Sequence, residues 1–410
     1  MKPRRVLLAQ QHPAGGSVAS SLELLERLPA LGIEPVVALP IDWPVRSDYE
    51  AAGARVVAFR PSSPEPTAVP GGERRADGGP PMRSSGLKRD LRRLRSSDVP
   101  QARWLRQVLI DERIDLVHTN NEVISNRGAL LAARQQRVPT LIHLRGMHTY
   151  WRGIGRSLDR RLASRAGGFV AISHAVADHA ATELGVDRAR IEVIDNPFDL
   201  GATPEPPSVE LARELEVEGQ RVIAMVGRIV AWKGHEVLID AVHQLARPDV
   251  TVLVVGAPES TYGPMVLERL RSQVRSLGLE SQVRFVGARR DVPAIFALAD
   301  VAVHCSVEPE PFGRVIVEAM AAGTPVVASA AGGALEIVED GRTGRLVAPG
   351  DAGALAAALG EVLDHPDRAA AMAHDARRSA MDRFGVEAHV AAVVDAYGRA
   401  MGRSGSGRRS

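Results

Sequence analysis

Short runs of β-branched and aliphatic residues alternate with longer stretches of helical apolar spacing along nearly the whole chain. In the first half the short runs are RVLLAQ (5–10), PVVAL (35–39), RVVAF (55–59), DLVH (115–118), TLIHL (140–144), GFVAI (168–172) and IEVI (191–194). Between most of them lie segments such as VASSLELLERLPALG, apolar at helical intervals. This alternation predicts βαβ units and a parallel sheet. Runs that are apolar almost throughout predict strands covered on both faces.

The pattern breaks near residue 200 at NPFDLGATPEPPSVE, which is rich in proline and acid. It then restarts with RVIAMV (221–226), VTVLVVG (250–256), VRFVG (283–287), DVAVHC (300–305) and TPVVAS (324–329). The reading is an α/β protein of two doubly wound domains joined by a linker, the first over 1–200 and the second over 201–385. PSSPEPTAVPGGERRADGGPP (61–81) is of low complexity, and an insert over 61–99 is expected to be mobile. The tail 403–410 is expected to be disordered.

Composition narrows the class. A chain of 410 residues, 45% hydrophobic and 24% charged, has the make-up of a soluble globular protein with room for two or three cores. Cys305 is the single cysteine, so an internal disulfide framework and a cysteine-based zinc site are excluded. The N-terminal apolar run is too short for a signal peptide, and no stretch approaches eighteen apolar residues. A cytoplasmic protein is expected. The net charge of +2 does not call for nucleic acid. Residues 82–106 nevertheless carry eight Lys or Arg against two Asp. A solvated basic face accounts for them, and so does a surface attracted to anionic lipid. KRDLRRLR lacks the interleaved aromatics of a nucleic-acid surface.

In an open parallel sheet, ligands bind beyond the carboxyl ends of the strands. After RVIAMV comes VGRIVAWKGHEVLIDAVHQL, in which Arg228 and Lys233 flank the opening of a helix. Two cations at a helix start suit a phosphate or diphosphate. Neither G-x-x-x-x-G-K-[ST] nor a strand-borne G-x-G-x-x-G occurs, which weakens ATPase and dehydrogenase readings. After DVAVHC comes SVEPEPFGRVIVEAM, where Phe312 and Gly313 turn into a helix whose first N–H groups, Gly313 to Val315, face an anion. Glu318 follows Arg314 by four residues. An ion pair between them is the plain alternative, though base before acid is the less favourable order. A carboxylate beside phosphate suits the paired hydroxyls of a ribose, and Glu310 suits the hydroxyls of a sugar beyond the phosphates. Glu308 takes no role.

EPFGRVIVEAMAAGTPVVAS followed by GGALEIVEDGRTGRLVAPGD resembles the donor-binding signature of retaining family 4 glycosyltransferases of the GT-B fold. The family's E-x7-E motif falls on Glu310 and Glu318, its Arg/Lys pair on Arg228 and Lys233, and its glycine loop on Gly15 and Gly16. The resemblance implies two Rossmann-like domains facing a central cleft, with residues 386–402 as a helix crossing back to the first. It implies a nucleotide-diphosphate-sugar co-substrate, no cofactor and no metal; no D-x-D occurs in the sequence. Catalytic residues would be Glu310, His143, Arg228 and Lys233. Donor contacts would come from Gly15, Gly16, Arg228, Lys233, Arg289 (towards the base), Phe312, Gly313, Arg314, Val315 and Glu318. His118, Asn120, Arg145 and His148 are acceptor candidates, with Tyr150 and Trp151 beside them. The acceptor would be a glycan or a lipid-linked molecule, with 82–106 against an anionic membrane surface. A GT-B nucleotide-sugar epimerase and a non-catalytic nucleotide-sugar-binding protein remain open alternatives.

Overall fold

The structure is a computed structural model that describes residues 2–11, 15–40, 43–59, 86–147, 154–200, 208–258 and 262–406. Among them are two compact units: one takes the chain up to Asp199 and again from Phe384 onward, the other spans Leu200–Arg383.

The first unit holds β1 (Arg5–Ala9), β2 (Glu34–Pro40), β3 (Arg55–Phe59), β4 (Leu116–Asn120), β5 (Thr140–Leu144), β6 (Gly168–Ala171) and β7 (Ile191–Val193). They form one parallel sheet in the order β3-β2-β1-β4-β5-β6-β7. Strands β4, β5 and β6 are buried along their whole length, as strands with covered faces must be. The helix Val386–Ser406 closes one face. Its Val386, Val390, Val393, Ala396, Tyr397 and Ala400 make one helical stripe, packed with Val6, Leu8, Leu116, Leu141 and Val170. It runs four residues past the expected end at 402, so residues 403–406 are helical rather than part of a disordered tail; 407–410 lie outside the described residues.

The expected mobile insert needs a second correction. Residues 61–85 lie outside the described residues, but Gly86–Arg93 is helical, and a short π-helical stretch, Leu94–Asp98, carries it into the helix Val99–Asp111. Buried charge ties this segment down. Asp98 lies 3.7 Å from Arg127, which is itself bound to Asp159 at 2.6 Å, and Asp90 accepts the Gly155 N–H at 3.0 Å. Arg93 donates to the Ile124 carbonyl at 3.0 Å.

The second unit holds β8 (Arg221–Val226), β9 (Val250–Val255), β10 (Val283–Gly287), β11 (Val301–His304), β12 (Val326–Ser329) and β13 (Arg345–Val347) in the order β10-β9-β8-β11-β12-β13. All its pairs are parallel. β13 is a three-residue edge strand that the hydrophobic pattern does not announce. In this order the chain winds outward one way from β8 and the other way from β11. Their loops therefore flank the switch point where such sheets bind ligands.

Candidate active site

Lys233 and Glu310 come from the two switch-point loops. After β8, a 3-10 turn Ala231–Lys233 leads through Gly234 into the helix His235–Leu245. Gly234 sits at φ 76°, and a Cβ there would lie 2.0 Å from the Cys305 carbonyl oxygen, so only glycine lets this loop press against the end of β11. The Val307 N–H donates to the Trp232 carbonyl at 2.8 Å and joins the two loops by their backbones. The Lys233 ammonium then lies 2.6 Å from Glu310 Oε2 and 4.4 Å from the Trp232 ring centroid.

Glu310 is held from several sides. Its Oε2 also accepts from His304 Nε2 at 3.2 Å and from Ser306 Oγ at 3.2 Å. Burial by itself would raise this carboxyl's pKa. Lys233 and His304 together outweigh burial and bring it down to about 2, so Glu310 is a carboxylate. Its backbone is clamped by the loop after β12: the Gly333 N–H donates to the Glu310 carbonyl at 2.8 Å. At Gly332, φ 61°, a Cβ would stand 2.2 Å from that same oxygen.

Gly313 caps the helix Arg314–Ala322, which ends at the left-handed Gly323. Its opening N–H groups, from Gly313 to Val315, are those that helix geometry leaves for an external acceptor. Phe312 is 3% exposed and packs inward, so its ring is not a surface for stacking on a ligand. Arg314 Nε lies 3.5 Å from Glu318 Oε1: the i,i+4 ion pair forms despite its unfavourable order. Burial still pushes the Glu318 carboxyl up more than Arg314 brings it down. Arg228 is exposed on the loop after β8. Arg289, read as a base contact, is instead gripped by Asp291 and Glu214, each at 2.6 Å. Those two acids hold its guanidinium firmly protonated.

In the first unit, Gly15 and Gly16 are exposed where the helix Gly16–Leu25 begins, Gly15 at φ 98°. The histidines depart from expectation. His143 lies within β5 with no exposed surface, its ring stacked on His118 at 5.3 Å and on His389 at 6.2 Å between centroids. His118 is 1% exposed, with Nδ1 on the Tyr397 hydroxyl at 2.8 Å and Nε2 on His143 Nδ1 at 3.2 Å. Burial, with Arg145 and neighbouring histidines, lowers both pKa values, that of His118 to about 3. In this geometry neither ring can touch a sugar; both bind the C-terminal helix to the sheet. Asn120 and Arg145, read as acceptor contacts, are also buried. Asn120 donates to Gln10 Oε1 at 2.6 Å, and Arg145 donates to Asn120 and, at 2.8 Å, to Asn196. His148, Tyr150 and Trp151 lie outside the described residues.

Sequence reasoning missed His304, Ser306 and Gly332. HCS at the end of a predicted strand, four to six residues before Glu310, is the only signal of the first two, and Gly332 opens the GGALEIVEDG stretch without showing that it will pack on Glu310.

Comparison with known proteins agrees with this geometry. A family model described as glycosyl transferases group 1 matches residues 209–379, and one described as glycosyl transferase 4-like domain matches 15–197. The chain is 37% identical over 240 residues to a D-inositol 3-phosphate glycosyltransferase of Catenulispora acidiphila, covering 55% of each. It is 34% identical over 243 residues to a GDP-mannose-dependent phosphatidylinositol monomannoside mannosyltransferase of Mycolicibacterium smegmatis, covering 56% of this chain and 62% of that one. The chain thus spans little more than half the length of these curated relatives. Among solved structures, Anabaena HepE in complex with UDP and glucose superposes with a TM-score of 0.79 at 28% identity, covering 96% of this chain and 98% of that one. A sucrose-phosphate synthase of Thermosynechococcus elongatus shares the fold, with a TM-score of 0.75 at 23% identity over 96% of this chain and 98% of that one. With the two family models together taking in residues 15–197 and 209–379, the chain belongs to the group 1 glycosyl transferases of the GT-B fold.

Proposed function

We propose that the protein transfers a sugar from a nucleoside-diphosphate-sugar to a hydroxylated acceptor with retention of anomeric configuration. The observation that carries this reading is the meeting of Lys233, Glu310 and the start of the helix Arg314–Ala322 at the sheet's switch point. Lys233, Arg228 and the N–H groups at 313–315 take the diphosphate and stabilise the charge that develops as it leaves. Glu318 takes ribose hydroxyls and Glu310 takes sugar hydroxyls, since a carboxylate only accepts hydrogen bonds. The reaction needs no metal, because the cations and helix N–H groups supply the positive field.

The names of the relatives guide the choice of acceptor. They include transferases to inositol phosphate, to a phosphatidylinositol mannoside and to 2-deoxystreptamine. An acceptor bearing a cyclitol ring, free or lipid-linked, is the first to try, which places the enzyme in envelope glycan or polysaccharide synthesis. Arg92, Arg95, Arg103 and Arg106 are exposed and would hold the protein to an anionic membrane surface. No helix among the described residues is long and apolar enough to cross a membrane. Release of nucleoside diphosphate, followed over a panel of donors with inositol phosphate or phosphatidylinositol, tests the reading. Acceptor-dependent release with a retained anomeric centre supports it; no release with any pair removes it. Loss of liposome sedimentation when the four arginines are neutralised supports the membrane contact, and unchanged sedimentation removes it.

A further inference from the structure

Glu310 Oε2 has three partners, and they differ in kind. Lys233 is an ammonium on the loop where a diphosphate would arrive, and a diphosphate would compete with Glu310 for it. His304 and Ser306 are fixed. His304 is the last residue of β11 and 5% exposed, and Ser306 is 1% exposed. Their side chains touch each other at 3.1 Å, and each reaches Oε2 at 3.2 Å. Because the carboxylate oxygen only accepts, the proton of His304 sits on Nε2.

Nδ1 of that ring is buried and has no hydrogen-bond partner among the described residues. An orphaned polar atom at a strand end is a cost that an aliphatic side chain would avoid, so its retention calls for an explanation outside packing. Glu310 Oε1, by contrast, takes no hydrogen bond from the described residues, and the Glu310 side chain keeps 13% exposure. One oxygen is thus anchored and the other is left for a ligand.

We propose that His304 and Ser306 are positioning residues for Glu310: they hold its carboxylate in place when a diphosphate draws Lys233 away. The proposal rests on the donor-binding reading above. It assigns the pair to recognition of the sugar and not of the nucleotide, because Glu310 serves the sugar. Removing the pair therefore weakens binding of a nucleotide-sugar while leaving the bare nucleoside diphosphate untouched. A packing defect would weaken both together.

The test is calorimetric titration with UDP, UDP-glucose, GDP and GDP-mannose of the full chain and of H304L, H304N, H304Q and S306A. Gln places its amide nitrogen near the position of Nε2, and Asn places it near Nδ1, so only Gln should rescue. For whichever pair the wild type binds, H304L and H304N should lose about tenfold in sugar-nucleotide affinity. Their affinity for the diphosphate should stay within about twofold of wild type, and H304Q should recover most of the loss. S306A, which removes a small side chain, should show the same selective loss to a lesser degree. Equal losses for both ligands, or no loss in H304L and S306A, would overturn the proposal. A wild type that binds none of the four removes the donor reading and this inference together, which sets that failure apart from the first.

Discussion

Lys233 Nζ lies 2.6 Å from Glu310 Oε2, so the residue read as a phosphate ligand and the residue read as a sugar ligand are partners of one another. Both side chains are nearly buried, at 11% and 13% exposure, and removing one leaves the other's charge largely uncompensated. K233A should cost the second unit about 3 kcal/mol in urea unfolding. The double variant K233A/E310L should recover most of that stability and none of the transferase activity. A single variant as stable as wild type would show that the pair does not form in solution.

The same pair sets an acid limit. Burial raises the Glu310 pKa, but Lys233 and His304 bring it below the ordinary 4.5, to about 2. A folded pKa below the unfolded one means that the contribution is complete above pH 4.5 and is lost as the pH falls towards 2. Acid unfolding of the second unit should therefore begin at higher pH in K233A than in wild type. Coincident acid transitions would contradict the assignment.

The stacked histidines of the first unit also lose stability on acidification, here through burial and neighbouring positive charge. Burial, Arg145 and His389 lower the His118 pKa from 6.5 to about 3, and His143 is lowered well below 6.5 by burial, Arg145 and both neighbours. Unfolding thus takes up protons between those limits. Stability is complete above pH 6.5 and falls as the pH drops towards 3, by at most about 1.4 kcal/mol per pH unit for each ring. H118N, which keeps an amide near Tyr397 but cannot titrate, should show a shallower slope of urea stability between pH 6.5 and 5. An unchanged slope would place the proton uptake elsewhere.

Arg127 and Asp159 form the most enclosed ion pair of the first unit's helical layer, with side chains 2% and 1% exposed. D159A should cost about 3–5 kcal/mol because it leaves the buried Arg127 guanidinium with the Gly155 carbonyl, at 3.2 Å, and the more distant Asp98, at 3.7 Å. Hydrogen exchange should then rise along Gly86–Asp111, which this cluster anchors. Exchange unchanged in that segment would mean that other contacts hold it.

All twelve strands that the apolar runs predict are present, because a strand covered on both faces must be apolar along its length. β13 escaped notice because three residues, Arg345–Val347, at a sheet edge leave no such run. Helix 86–99 was hidden by its charge: arginines and aspartates read as solvated until the fold turns Asp98 and Arg93 inward. At the site, E-x7-E and the Arg/Lys pair locate the two loops, yet no spacing says that Lys233 will bond Glu310 across 77 residues. His143 was misread because its place near the end of β5 says nothing about which face it takes; it turns towards the C-terminal helix, whose arrival is a long-range event. His304 went unread for the same reason, since its role comes only from where Glu310 is brought.

The account's central claim, that the second unit binds a nucleoside-diphosphate-sugar, is tested most directly by thermal shift across UDP-, GDP- and ADP-sugars on wild type and E318A. A ligand bound only to the folded state must raise its transition. The account predicts that one nucleotide series raises the wild-type transition and that E318A loses most of the shift, because the ribose contact is gone. A wild type unmoved by every donor at millimolar concentration, or an E318A variant shifted as far as wild type, would contradict it.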